Sequence, residues 1–404
     1  MAILSFAFED TRLSWSVAPF TLDGFNLLVG RSGAGKTRIL NALYAISLAA
    51  IGRDTSLYQC AWQVSLDVNG VSYTWAAQTG QRPSGVVPEM PFFDYSDDED
   101  EDDATEDGDE RTLAPVFAHE RVTMGDQELI ARDTTGTRVN ASPFPALKTS
   151  ESVLSLLREE PQVKPLVQAF RRFLFSRATT RSLRQMFDPR RFEKEKRRFK
   201  SLDQLRADTR LPLGLKAWIM QEKFPEEFAR LEEEFRAIFE SVTSVRVAKS
   251  EELLTGSERE DANLGAFQFV DFAIHEEGVE RPITFGAMSS GMRRTLTHLL
   301  ELALAPAGSV VLVDEYENSL GVNCLPSLTD HLLKRSGELQ FILTSHHPYV
   351  IENIDRRYWK VVTRRGGQVR VRSSADFPAL DTKSRQSAFI LLLDVLERET
   401  ADGA

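Results

Sequence analysis

The chain has 404 residues, 42% of them apolar, and 49 Lys and Arg stand against 60 Asp and Glu for a formal net charge of -11. That length suits two or three domains with a substantial core, and the negative balance excludes a uniformly basic surface for coating nucleic acid. Two cysteines, Cys60 and Cys324, are too few for a disulfide framework; no run reaches the roughly 18 apolar residues of a membrane span and no secretory leader opens the chain, so a cytoplasmic protein is expected, without a membrane partner.

Residues 2–8 and 25–29 read as strands, separated by a loop that holds Pro19 and Gly24. Directly after the second comes Gly30-Arg31-Ser32-Gly33-Ala34-Gly35-Lys36-Thr37-Arg38, a glycine, four residues, then Gly-Lys-Thr. This is the phosphate-binding P-loop pattern in its strand-to-helix setting. Its glycines let successive N–H groups turn toward phosphate oxygens, and the following helix, expected to run to about Ala50, adds its positive N-terminal end. Lys36 would reach the β- and γ-phosphates of ATP, and Thr37 would hold Mg2+.

Residues 61–68 and 71–75 alternate apolar and polar around Asn69-Gly70, the signature of a β-hairpin, so an antiparallel sheet is expected beside the nucleotide site. From Asp94 to Glu110 twelve carboxylates crowd together, which reads as a solvated loop, as an acidic docking segment, or as a nucleic-acid mimic that covers a basic surface. Strand-like pieces follow at 121–124 and 128–132, with a turn at 133–136.

Beyond about Thr149 the apolar period changes from two to about 3.6, so a helical lobe is expected over 150–245, broken into short helices by Pro212, Gly214 and Pro225. Thirteen Lys and Arg fall between Lys164 and Lys200, with Phe187 and Phe192 among them. Such a segment can contact the phosphates of DNA or RNA; it can equally be a solvated face, or pair with an acidic protein or with the chain's own acidic loop. A strand at 267–274 then reads as a return to the main sheet.

Met288-Ser289-Ser290-Gly291-Met292 precedes a helix at 295–304. Next, residues 309–313 form a buried strand that ends in Asp314 and Glu315, and residues 340–344 form another that ends in Ser345, His346 and His347. In open α/β sheets ligands bind at such strand ends. There Asp314 can hold Mg2+ through water, Glu315 can accept the proton of an attacking water, and His346 can reach the γ-phosphate. Strands at 358–363 and 368–372 and a helix at about 382–397 complete the chain.

The ordered set of P-loop, Ser-Gly helix, strand-Asp-Glu and strand-His resembles the ABC-type ATPases of the SMC, RecF and OLD kind, AAA family ATPases of bacterial DNA-repair and phage-defence systems. The resemblance covers roughly residues 1–150 and 265–365. It implies an α/β fold, a P-loop NTPase head with a mixed sheet, helices and an antiparallel β subdomain, and with an inserted helical lobe. The parts would be residues 1–149 and 265–404 as the two halves of the head and 150–264 as the lobe.

By the same resemblance Lys36 and Thr37 are the Walker A residues, Asp314 and Glu315 the Walker B pair, and Ser289, Ser290 and Gly291 the signature. Asn318-Ser319-Leu320 is similar to the D-loop, and His346 is the switch histidine. Arg31-Ser32 stand where the family has Pro-Asn, and the signature departs from Leu-Ser-Gly-Gly-Gln. Gln78 and Gln81 are the candidates for a Q-loop glutamine. Two heads of this kind sandwich two ATP molecules, so the expectation is a Mg2+-dependent ATP hydrolase that forms a homodimer or higher homo-oligomer and switches a separate effector protein. Nothing after Ile354 reads as a nuclease, so a nuclease effector would be another chain. The alternatives are a nucleotide-gated scaffold with little turnover and the ATPase subunit of a membrane transporter.

Overall fold

The computed structural model describes residues 1–53, 57–80, 116–176, 183–249, 252, 268–318, 320–321, 323–382 and 385–401. The acidic stretch 94–110, Gln81 and Ser319 lie outside the described residues. The chain divides into two compact units. Unit 1 is Met1–Phe175, Gly308–Tyr316 and Leu333–Ala404; unit 2 is Ser176–Ala307 and Glu317–Leu332.

In unit 1 the N-terminal strands are β1 (Ala2–Asp10), β2 (Trp15–Thr21) and β3 (Phe25–Val29), followed by helix α1 (Lys36–Ala50). The loop expected around Pro19 is therefore largely strand. Proline is tolerated because the β1–β2 register shifts between Phe6 and Phe8, and Pro19 falls opposite that irregularity, where no ladder N–H is needed. The antiparallel meander continues as β4 (Cys60–Val68), β5 (Val71–Thr79), β6 (Phe117–Met124), β7 (Gln127–Asp133), β8 (Gly136–Val139) and β9 (Ser142–Phe144). Asn69 and Gly70 both have positive φ, 55° and 82°, as the tight hairpin turn requires.

Short helices α2 (Val153–Leu156) and α3 (Lys164–Phe170) and strand β10 (Phe173–Ser176) come next. Unit 2 then opens with β11 (Gln185–Phe187), α4 (Pro189–Lys196), α5 (Leu202–Ala207), α6 (Leu213–Lys223), α7 (Pro225–Ile238), β12 (Val242–Lys249), β13 (Gln268–Glu276) and β14 (Ile283–Thr284). Helix α8 (Ser290–Ala303) follows, then β15 (Val310–Val313), α9 (Cys324–Arg335), β16 (Gln340–Thr344), α10 (Pro348–Asn353), β17 (Trp359–Arg365), β18 (Gln368–Ser373) and α11 (Arg385–Ala401).

Unit 1 is built on a 14-stranded sheet in the order β10-β15-β16-β3-β17-β18-β2-β1-β4-β5-β6-β7-β8-β9. Strands β15, β16, β3 and β17 pair in parallel, and every residue of β15, β16 and β3 is buried, as a parallel layer covered on both faces demands. The meander from β1 to β9 is antiparallel. Its inward residues pack on α1 and α3: Trp62 and Trp75 meet edge to face at 5.3 Å, and Trp75 meets Phe170 at 5.6 Å. Beneath them Glu120 and Arg132 form a buried ion pair, and Glu120 also accepts from Trp75 Nε1 and Val153 N. Burial pushes the Glu120 carboxyl up, against the pull of Arg132.

Unit 2 corrects two expectations. Residues 150–245 hold strands as well as helices, and β13 does not rejoin the main sheet. It is the centre of a second sheet, β11-β13-β12, with β14 also on β13. Helix α6 buries Trp218 against Phe187 (5.1 Å) and Phe192 (4.6 Å, rings 12° apart). The outer edge of β12 is closed by side chains. Val245 N donates to Glu232 Oε1 at 2.7 Å, while Gln221 accepts from Val247 N at 2.7 Å and donates to Val247 O at 2.8 Å.

Candidate functional site: a P-loop beside two strand-end carboxylates

The loop after β3 is shaped by its glycines. A Cβ on Gly30 would stand 2.4 Å from Val362 O of the neighbouring β17, so only glycine allows that approach. Gly33 and Gly35 have φ of +78° and +100°, a left-handed backbone that glycine adopts without strain, and Ala34 N between them donates to Arg31 O at 3.1 Å. Gly35 is the N-cap of α1 and has no capping side chain, which leaves the helix N–H groups for an anion. Lys36 Nζ meanwhile donates to Gly30 O (2.9 Å) and Arg31 O (3.2 Å), within the loop that it closes.

Arg38 lies over the Trp15 ring at 5.6 Å, and burial together with the Arg364 charge lowers its guanidinium pKa. Arg364 Nη1 donates to Gly33 O at 3.1 Å. A cleft of about 420 Å3 runs along residues 31–34, the 362–366 strand end and Leu396. Nothing in the sequence signalled Arg364 or Trp15, because their relation to the loop exists only through the β3-β17-β18-β2 strand order.

Strand β15 delivers Asp314 and Glu315 to the same end of the sheet. Thr37 Oγ1 donates to Asp314 Oδ1 at 3.1 Å, and Thr344 Oγ1, at the tip of adjacent β16, donates to the same oxygen at 2.6 Å. Glu315 is exposed and adopts φ +45°, a conformation that costs a non-glycine residue about 1–3 kcal/mol and persists only where neighbours hold it. Its N–H donates to Thr344 Oγ1 at 2.7 Å, and Tyr316 N donates to Thr344 O at 3.0 Å. Thr344 is buried, a hydroxyl closing an otherwise apolar strand, and the sequence reading gave it no role of its own.

His346 follows β16 and is exposed. Its neighbour His347 is committed elsewhere: Nδ1 accepts from Tyr349 N at 3.2 Å and caps α10. The structure thus brings Gly30 to Arg38, Asp314, Glu315 and His346 together in unit 1. Ser289, Ser290 and Gly291 belong to unit 2, where Ser289 is the N-cap of α8 and accepts from Met292 N at 3.2 Å, with Ser289 and Ser290 exposed. Asn318 is in a turn of unit 2. Gln78 lies on β5, six strands from β3 in the order of the sheet.

For a divalent cation the donor set is informative. No group of three or more His, Cys, Asp or Glu could hold a metal among the described residues. What the site offers is one hydroxyl and one carboxylate, hard oxygens that suit Mg2+, an ion that keeps its waters and takes substrate phosphate as further ligands. No helix among the described residues is long and apolar enough to cross a membrane.

The second expected site has changed character. Phe187 and Phe192 lie buried on Trp218, so neither ring is presented to a base. The basic run is also divided, Lys164, Arg171 and Arg172 falling in unit 1 and the remainder in unit 2.

Among solved structures, the chain resembles an SMC head bound to the C-terminal winged-helix domain of ScpA (14% identity, 92% of this chain and 97% of that one, TM-score 0.47). It also resembles a Pyrococcus furiosus Smc head with an extended coiled coil, bound to the C-terminal domain of ScpA (13%, 98% and 99%, 0.44), and the Thermotoga maritima SMC head (12%, 92% and 99%, 0.41). Comparison with curated proteins gives no match. A family model described as "AAA domain, putative AbiEii toxin, Type IV TA system" matches residues 25–352, well over half of the chain, and the protein belongs to that AAA-domain family.

Proposed function

We propose that this protein is an ATP hydrolase that closes as a dimer around ATP and so switches a separate effector. The observation that carries the reading is the Thr37–Asp314 hydrogen bond, with Glu315 next in sequence: phosphate cradle, cation ligands and a carboxylate base meet at one sheet end. Gly30 to Gly35 and the first turn of α1 bind the phosphates, and Lys36 neutralises them. Mg2+, when bound by Thr37 and Asp314, supplies charge stabilisation at the transferring phosphoryl group. Glu315 accepts the proton of the attacking water, and His346 orients the γ-phosphate. Ser289, Ser290 and Gly291 serve the nucleotide of a second copy. The family's description names a putative toxin of a toxin–antitoxin system, which accords with a role in defence.

Glu315→Gln tests this. The hydrolase reading expects phosphate release to fall by about 10²–10⁴-fold, with ATP retained and a dimer on size-exclusion chromatography with light scattering. Unchanged phosphate release overturns it. A wild-type protein that binds ATP and dimerises without turnover would favour the scaffold.

Around α4 a second contact is proposed, to the phosphates of a nucleic acid. Lys196 pairs with Glu193 and Glu222, and Arg198 pairs with Glu195 and Asp208. Arg190, Arg191, Lys194, Arg197 and Lys200 stay exposed and outside every ion pair among the described residues. With no aromatic ring offered, the contact would be independent of sequence. Charge reversal at Arg190, Arg191 and Arg197 is expected to abolish duplex binding in fluorescence anisotropy and its salt dependence, which would be about -0.9 per phosphate contact for wild type. Absence of wild-type binding at low salt removes the idea.

A further inference from the structure

We infer that Thr344 is a positioning residue for ATP hydrolysis, holding Glu315 in the backbone conformation from which its carboxylate works; the inference rests on the hydrolase reading above. Glu315 is the one non-glycine residue of the group formed by the P-loop and the strand ends with a left-handed backbone, at φ +45°. Rotation about its φ and ψ moves the peptides on its two sides, and Thr344 holds both. The N–H entering Glu315 donates to Thr344 Oγ1 at 2.7 Å, and the N–H leaving it, that of Tyr316, donates to Thr344 O at 3.0 Å. Tyr316 and Thr344 are both buried, so water does not readily replace these bonds.

The hydroxyl has one proton, and its direction is fixed. Since Oγ1 accepts from Glu315 N, its own hydrogen goes to Asp314 Oδ1 at 2.6 Å. One side chain therefore sets the carboxylate of Asp314 and the backbone of Glu315 at once. It sits two residues before His346 on the strand that pairs in parallel with β15. A displacement of the β16 tip would be transmitted to Asp314 and Glu315 through Thr344. The main-chain bond to Tyr316 survives any substitution at 344, whereas the Oγ1 bonds do not, and this asymmetry makes the assignment testable.

Thr344→Val keeps the β-branched shape but removes the hydroxyl, Thr344→Ser keeps the hydroxyl, and Thr344→Cys offers a poor hydrogen-bonding group of similar size to serine. Turnover and the affinity for a slowly hydrolysed ATP analogue are measured for all four proteins. We expect Thr344→Val and Thr344→Cys to lose about 10- to 100-fold in kcat, with analogue affinity and KM within about threefold of wild type, and Thr344→Ser to recover most of the rate. If Thr344→Val fails to fold, the Ser and Cys pair decides alone. Equal rates for Ser and Cys, or a wild-type rate in Thr344→Val, overturn the assignment and leave the hydrolase reading intact. A wild-type protein without turnover overturns both.

Discussion

Thr37 and Asp314, 277 residues apart in sequence, are joined by a hydrogen bond of 3.1 Å between Oγ1 and Oδ1. The first turn of α1 and the end of β15 meet through it, and these are the two oxygen groups a Mg2+ ion would take. Replacing Thr37 by Val removes the hydroxyl while Lys36 and the loop glycines remain. Nucleotide affinity in the presence of Mg2+ should fall about tenfold or more, and affinity in EDTA should be nearly unchanged. Isothermal titration under the two conditions checks this; equal losses in both would remove Thr37 from the cation's ligands.

Gly30 is constrained by the neighbouring strand and not by its own dihedral angles. Gly30→Ala would force a methyl group to within 2.4 Å of Val362 O unless β17 moved. The expected outcome is a loss of about 1–3 kcal/mol in stability together with weaker nucleotide binding. Urea denaturation and a nucleotide-binding assay on the same variant measure the two effects.

Far from the loop, the Glu120–Arg132 pair ties β6 and β7 to the segment ahead of α2, since Arg132 also donates to Lys148 O and Glu151 O. Arg132→Met leaves a buried carboxylate without its counter-charge and should cost about 3–5 kcal/mol. The double replacement with Glu120→Leu should recover much of that loss, because two desolvated charges disappear together. Chemical denaturation of the three variants distinguishes a pair that stabilises from one that merely must not be broken.

In unit 2, Ser176 bridges His298 Nδ1 (3.0 Å) and the Glu301 carboxylate. Burial pushes the Glu301 carboxyl up to about 7, against the hydrogen bond from Ser176 and the charge of Arg294. Burial, with Arg294, holds His298 well below its ordinary value. An acid whose folded pKa is raised binds more protons folded than unfolded, so its contribution to stability falls as pH rises from about 4.5 to 7. His298 acts in the opposite sense and adds stability as pH rises toward 6.5. Glu301→Gln removes the first effect alone: relative to the variant, wild type should lose Tm between pH 4.5 and 7. Parallel Tm curves would show that Glu301 ionises normally.

The elements that carry the P-loop and the strand-end residues were legible because they depend on short-range pattern. A glycine spacing, two all-apolar strands and the polar residues at their tips are local signals, and α1, β15 and β16 lie where those signals put them. The Asn69-Gly70 hairpin was visible for the same reason. Strand order was not written locally. Pro19 argued against β2 because the β1 irregularity that accommodates it belongs to another strand. β13 looked like a return to the main sheet because apolar alternation does not say which partner a strand will find, and Thr344 looked like the end of a strand until Glu315 and Tyr316 were seen to hang from it. Phe187 and Phe192 stood within a basic run, and nothing local showed that both would bury on Trp218.

The edge of β12 has a consequence for assembly. An uncovered strand is adhesive toward any extended chain it meets, and eight residues are enough to seed such a contact. Here the carboxamide of Gln221 imitates the peptide of an absent neighbour, and Glu232 answers the next outward N–H. The β12 edge is thus finished by side chains of α6 and α7 and is shut there to recruitment by strand addition. Loss of Gln221 would remove two hydrogen bonds and also leave the protein with a sticky seam.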